Sequence, residues 1–150
     1  MRILQINKYL YLKSGVERYT FSISSMLKDR GHEVIPFAMK HEKNIPTEYS
    51  RFFVENIDYE KEINKSIFRK LFVGFKIIYS FEAKNKLLKL ISKENPDVAH
   101  IHKISNTLTP SVLYALKEKD VPVVQTLHDY RIVCPSYNMY DPNRSEICEA

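Results

Sequence analysis

Pro96-Asp97-Val98-Ala99-His100-Ile101-His102 and Pro122-Val123-Val124-Gln125-Thr126-Leu127-His128-Asp129 are the stretches whose reading decides the fold. Each is a short, mostly apolar run that starts after a proline and closes on histidine. Runs of this kind read as strands buried on both faces, the habit of a parallel sheet. In open α/β sheets ligands sit outside the carboxyl ends of the strands. His102, His128 and Asp129 therefore converge on one expected cleft.

The chain on either side supports a sheet wound with helices. Arg2 to Asn7 reads as the first strand. Lys8 to Ser14 is a loop, and Gly15 opens a helix whose apolar residues Val16, Tyr19, Ile23, Met26 and Leu27 form one stripe. Gly31, following Lys28 and Arg30, is a stop signal. Glu33 to Met39 is a second strand, and Pro36, lacking a backbone donor, places it at the sheet periphery. Arg51 to Ile57 reads as a short strand. Ile63 to Glu94 is helix-compatible, with breaks at Gly74 and Ser80, and Asn95-Pro96 ends it. Asp97 to His102 is the next strand. Thr109-Pro110 reads as N-cap and first helical residue, with Val112, Leu113 and Leu116 on one face. Val123 to Leu127 is the last strand. This alternation predicts an α/β fold, a Rossmann-like doubly wound parallel sheet.

Composition narrows the function classes. The 150 residues are 44% hydrophobic and 27% charged, enough for one domain with its own core. The net charge of +5 is local: residues 61–93 carry nine Lys or Arg against Glu62 and Glu82. A protein that coats nucleic acid would spread that charge and carry a recognition motif, and this chain does neither. The same segment interleaves Phe68, Leu71, Phe72 and Phe75 with Lys65, Arg69, Lys70 and Lys76. A basic amphipathic helix fits an anionic membrane surface, and equally a core-facing helix with solvated lysines. The start of the chain reads as no signal peptide, and no apolar run has spanning length, so a cytoplasmic location is expected. Cys134 and Cys148 are too few for a disulfide scaffold, and two ligands do not make a zinc site. The polar stretch from Asn143 to Ala150 lacks a closing element and reads as a cut inside a longer protein.

Three groups carry possible chemistry. Ser14-Gly15-Val16-Glu17 joins the first strand to the first helix, where an anion finds backbone N–H groups and glycine permits close approach. A plain strand-to-helix turn has the same appearance. One glycine is no G-x-G-x-x-G fingerprint, which counts against a nicotinamide or flavin dehydrogenase. His128, at a strand end, can bond a sugar hydroxyl or stabilise developing charge, and Asp129 is placed to orient it. The competing reading is a structural histidine. His100 and His102 share one side of their strand. They lack a third metal ligand at useful spacing, so no metal is expected, and one of them belongs to the core.

In order and spacing these motifs resemble those of the N-terminal half of bacterial family 4 glycosyltransferases, which have the GT-B architecture of two Rossmann-like domains facing across a cleft. The resemblance spans essentially the whole chain. It rests on Met1-Arg2-Ile3-Leu4, Ser14-Gly15-Val16-Glu17-Arg18, Leu27 to Val34, Pro96 to His102 and Pro122 to Tyr130. It implies that residues 1–150 form an acceptor-binding domain, truncated, with the nucleotide-sugar-binding domain missing. It implies a retaining transfer from a nucleotide-sugar co-substrate to a glycan or lipid-linked acceptor, without a metal or other cofactor. Ser14, Gly15, Val16 and Glu17 would border the donor phosphates, His128 would be the catalytic residue beside the transferred sugar, and His102, Asp129 and Tyr130 would line the acceptor side. A lipid-linked acceptor would place the protein at the inner face of the plasma membrane, working in cell-surface polysaccharide synthesis. The family commonly has paired glycines in the first loop, and Ser14 stands at the first place here. The alternative is a non-catalytic Rossmann-like module for a nucleotide or sugar phosphate.

Overall fold

The computed structural model describes residues 1–56, 78–104, 107–130, 132–134 and 138–148. Its elements in chain order are β1 (Arg2–Ile6), α1 (Gly15–Asp29), β2 (Glu33–Phe37), a 3₁₀ turn (Glu48–Phe52), α2 (Phe81–Glu94), β3 (Val98–Ile101), α3 (Ser111–Glu118), β4 (Val123–Gln125), β5 (Tyr140–Asp141) and β6 (Glu146–Ile147). The first four strands make one parallel sheet in the order β2-β1-β3-β4. The chain first steps outward from β1 to β2, then crosses back to β3 and β4. Right-handed crossovers in opposite directions place α1 on one face and α2 with α3 on the other. The reversal falls between β1 and β3, and there the sheet opens a crevice at its carboxyl edge.

The two faces differ in chemistry. Leu4, Ile6, Ile35, Phe37, Ala99 and Ile101 lie in register on one face, all buried. They pack under Leu87, Leu90 and Ile91 of α2 and Val112, Ala115 and Leu116 of α3. Burial contributes roughly 1.5–3 kcal/mol for each larger aliphatic or aromatic side chain, so this face holds most of the fold's apolar stabilisation. The opposite face is apolar at its amino edge, with Ile3, Val34 and Val98, and toward the carboxyl edge presents Gln5, Pro36 and His100, extending to Asn7 and His102 just past the strand ends. Stability is concentrated on one side, and polar groups gather on the other.

Local signals set most boundaries. Gly31 (φ 78°) ends α1, and the N–H groups of Arg30 and Gly31 cap the carbonyls of Leu27 and Lys28. Ser80 caps α2 by accepting from the Ala83 N–H at 3.1 Å, so the expected break at Ser80 is present. Asn95 closes that helix in the left-handed region (φ 44°). Pro36 lies on β2, which ends its side of the named ladder, as expected. Among the described residues that edge is extended only by a single parallel bridge between Met39 and Val54.

Several expectations need correction. Arg51 to Ile57 forms no strand over its described part: residues 48–52 wind into a 3₁₀ turn capped by Thr47. The reason is that Thr47 and Ser50 bond each other's backbone, closing a reciprocal capping box. The third helix starts at Ser111 with Pro110 as N-cap, one residue later than expected. Thr109 is held at φ 37°, outside helical space, because its hydroxyl accepts from the N–H groups of Ser80 (3.1 Å) and Ser111 (3.3 Å). Leu113 is partly exposed rather than packed with Val112 and Leu116. The apolar stripe of α1 is not its buried face: Tyr19 and Met26 are exposed, while Glu17 and Thr20 are buried, because the sheet face below is polar. β4 is exposed at all three residues instead of buried on both faces, as among the described residues it has a partner on one edge only. Finally, Tyr140–Asp141 and Glu146–Ile147 pair as a small antiparallel hairpin where a polar loop was expected.

Candidate functional site

The site grows from the strand ends at the crevice. β3 and β4 run side by side in the same direction, with Ala99 opposite Val123, His100 opposite Val124 and Ile101 opposite Gln125. Their common direction delivers His102 and His128 to one rim. The two rings are 5.6 Å apart between centroids, and the His128 Nε2 lies 3.4 Å from the His102 Nδ1. Tyr19 of α1 meets both rings edge-on, at 5.7 and 5.3 Å. An exposed aromatic residue on the solvent side of α1 thus serves as a wall of the imidazole pair.

The rings continue into the sheet as a hydrogen-bonded row. The Nε2 of His102 donates to the Gln5 Oε1 at 2.6 Å. The Gln5 Nε2 lies 3.4 Å from the Nδ1 of His100, and the Nε2 of His100 is 2.8 Å from the Thr126 hydroxyl. His100 and His102 lie two apart on one side, as the strand period requires, with centroids 4.2 Å apart. His102 is the one belonging to the core, at 4% exposure. Burial, reinforced by the neighbouring imidazoles His100 and His128, pushes its pKa down to about 3. Burial and His128 push His100 down as well. Both rings are therefore neutral near neutral pH. The His128 ring is oriented by its contact with His102, and Asp129, expected to orient it, lines the same cavity.

A cavity of about 240 Å³ opens beside this row, lined among others by His102, Leu113, Gln125, Leu127, His128 and Asp129. Asp129 is half-buried there, and Tyr130 stands exposed just beyond. The cavity explains the exposure of Leu113: its side chain forms an apolar wall instead of core.

On the other side of the switch point the first loop carries a buried carboxylate. The Ser14 hydroxyl caps no backbone N–H of α1. It donates to Glu17 Oε2 at 2.6 Å, and the Asn7 side-chain amide reaches Glu17 Oε1 at 3.3 Å. Glu17 is only 2% exposed, and its charge suits the positive end of a helix. Among the described residues the Oδ1 of Asn7 is buried without a partner. Gly15 faces open space, since a Cβ built there would meet nothing within 4 Å. Of the four loop residues singled out from sequence, Ser14 and Glu17 are engaged with each other, and Gly15 and Val16 stand at the start of the helix.

Sequence reasoning missed a third cluster on the same rim. Tyr9 and Tyr11, in the loop after β1, pack against each other at 5.2 Å, and Tyr11 stacks on His41 at 4.7 Å with 25° between planes. Lys13 Nζ bonds the Tyr9 hydroxyl at 3.0 Å and lies 4.2 Å from its ring centre, while Lys8 approaches the same ring at 5.4 Å. The signal was the run Lys8-Tyr9-Leu10-Tyr11-Leu12-Lys13, two aromatics between two cations in a loop leaving a strand end.

The membrane candidates Lys65, Arg69, Lys70 and Lys76 lie outside the described residues. Where the same basic segment is described, three of its lysines are paired within the fold. Lys84 pairs with Glu118 at 2.8 Å, Lys86 with Glu82 at 2.9 Å, and Lys93 with Glu94 at 2.7 Å. Among the described residues no helix is long and apolar enough to cross a membrane. Cys134 is buried and Cys148 half-buried, and they are not joined in a disulfide.

An open parallel α/β sheet with polar side chains gathered at its carboxyl-edge switch point defines a Rossmann-like ligand-binding domain. The model of Glycosyltransferase Family 4 matches residues 13–146, and the chain belongs to that family. No curated protein sequence matches the chain. The fold is accordingly the N-terminal, Rossmann-like half of a GT-B glycosyltransferase, and the role is of glycosyltransferase type.

Proposed function

We propose that this domain binds the acceptor of a retaining glycosyltransferase of hexosyltransferase type, working with a second domain that carries the nucleotide-sugar. The observation behind this reading is the shared rim of His102 and His128, walled by Tyr19 and opening on a cavity at the switch point. During transfer the bond between the anomeric carbon and the donor phosphate breaks, and a bond to the acceptor oxygen forms on the same side of the sugar. The acceptor's proton leaves on the phosphate. Positive charge develops at the anomeric carbon and negative charge on the phosphate, which preorganised N–H donors stabilise.

In this reading the open backbone at Gly15, with Val16 following it, faces the departing phosphate, favoured by the N-terminal end of α1. Glu17 holds the loop in place through Ser14 and Asn7. His128 touches the transferred sugar, while Asp129 and Tyr130 flank the acceptor. The Tyr9, Tyr11 and His41 rings offer apolar faces to a sugar, and Lys8 and Lys13 add positive charge for a phosphate-linked or otherwise anionic acceptor. Closure of two domains would exclude water and suppress hydrolysis. A lipid-linked acceptor in cell-surface polysaccharide synthesis and a cytoplasmic, membrane-peripheral location are in keeping with the basic segment 61–93. The isolated domain is expected to be inactive, with no cofactor besides the nucleotide-sugar co-substrate.

The test is nucleotide release across a panel of nucleotide-sugars by the enzyme carrying this domain, with and without candidate acceptors. His128→Ala should lower kcat at least tenfold with the fold retained by circular dichroism. An unchanged kcat removes His128 from the chemistry.

A further inference from the structure

Five side chains from three parallel strands and the segments that follow them form one unbroken row: Thr126, His100, Gln5, His102 and His128. A neutral imidazole has one donor and one acceptor nitrogen, so each bond in such a row dictates the next. Gln5 is the one member whose two ends differ chemically and cannot exchange roles without rotating. It is 3% exposed and held between two rings. Its carbonyl faces His102, so the His102 proton sits on Nε2 and the His102 Nδ1 carries a lone pair. That lone pair faces the His128 Nε2, which must then be the donor. On the other side the Gln5 amide donates to the His100 Nδ1, and the His100 Nε2 donates to Thr126.

We propose that Gln5 is a positioning residue that sets, through His102, the tautomer of His128, with the proton on Nε2 and Nδ1 left as the ring's open nitrogen. His128 accepts a hydrogen bond from a sugar hydroxyl at Nδ1 only, and that contact leaves the Nε2–H bond to His102 intact. The groups facing the pair among the described residues include His100 on β3, Gln5 on β1 and Tyr19 on α1, and Asp129 lines the same cavity. The bond between the rings holds His128 at Nε2. The assignment of the hydroxyl contact rests on the proposed transfer function; the tautomer assignment does not.

The tautomers are read directly by two-bond ¹H–¹⁵N correlation spectra of the histidine-labelled protein, with no substrate present. All three rings should show the Nε2-protonated pattern at a pH where they are neutral. A His128 ring protonated at Nδ1 would reverse the row and overturn the proposal. Gln5→Leu should abolish the single-tautomer pattern of His128. Gln5→Glu should preserve it, because a carboxylate still accepts from His102, while switching His100 to the Nδ1-protonated form. An unchanged His128 spectrum in folded Gln5→Leu, or a His100 unaffected by Gln5→Glu, also overturns it. If Gln5→Leu does not fold, the wild-type and Gln5→Glu spectra decide alone. In the active enzyme, kcat should fall in Gln5→Leu and recover in Gln5→Glu. Correct tautomers with a catalytically silent His128→Ala would sink the transfer function and leave the row standing.

Discussion

The Nδ1 of His102 faces the Nε2 of His128 across 3.4 Å, although the two residues are 26 positions apart in the chain. The contact exists because two strands are parallel and adjacent, and His102 is kept neutral there by burial.

That neutrality gives a signed pH dependence of stability. The pKa of His102 in the fold, about 3, is below the usual value of 6.5, so between these limits the unfolded chain binds the extra proton. Stability from this group is complete above pH 6.5 and is lost as the pH falls toward 3, by up to roughly 1.4 kcal/mol per pH unit. His100 acts in the same direction. Urea unfolding from pH 8 to pH 4 should show this slope, and His102→Asn should flatten it. An equal slope in the variant would remove His102 as the origin.

Gly15 separates a steric need of the fold from one of the ligand. A methyl group there touches no protein atom within 4 Å, and its φ is not in the left-handed region. Gly15→Ala should leave stability unchanged or raise it by up to about 1 kcal/mol. In the full enzyme it should raise KM for the nucleotide-sugar at least tenfold, since the added Cβ occupies space assigned to the donor phosphates. Steady-state kinetics with thermal unfolding check both halves. An unaltered KM means that no ligand approaches this backbone.

Glu17 is a buried carboxylate serving the loop. Glu17→Ala leaves Ser14 without its acceptor and Asn7 with the Tyr9 carbonyl alone, and should cost about 1–3 kcal/mol. Glu17→Gln keeps one acceptor oxygen and should cost about 1 kcal/mol or less. Denaturant titration of both variants decides; equal losses would mean that the negative charge, rather than the hydrogen bonds, is what the loop requires.

The sequence made the layout legible where hydrophobic period and punctuation agree. Gly31, Ser80 and Asn95-Pro96 act through their own backbone chemistry, and each bounds a helix as read. His102 and His128 were placed together because strand direction in an α/β sheet follows from chain alternation. What escaped depended on distant partners. The α1 stripe of Tyr19 and Met26 looked like a core face, but the sheet beneath offers Gln5 and His100, so Glu17 and Thr20 turn inward instead. Thr109 looked like an N-cap until Ser80, 29 positions away, claimed its hydroxyl. The row through Gln5 was beyond reach, because a glutamine in a strand carries no sign of what lies opposite.

β4 joins two of these strands of argument. Its sequence is apolar, yet Val123 and Val124 are 43% and 55% exposed, and Leu127 just beyond is 59% exposed. Its N–H and C=O groups pair with β3 on one side only among the described residues. An apolar strand with an open edge invites pairing with another chain, and natural edges are guarded by charge, most often lysine. Purified as these 150 residues, the protein should self-associate in a concentration-dependent way. Val124→Lys should suppress that association without altering the fold, because the side chain already faces solvent. Sedimentation velocity over a tenfold concentration range gives the comparison, with circular dichroism as the control for folding. Association that persists unchanged in Val124→Lys would locate the sticky surface elsewhere, with the exposed Tyr19 and Met26 face of α1 as the next candidate.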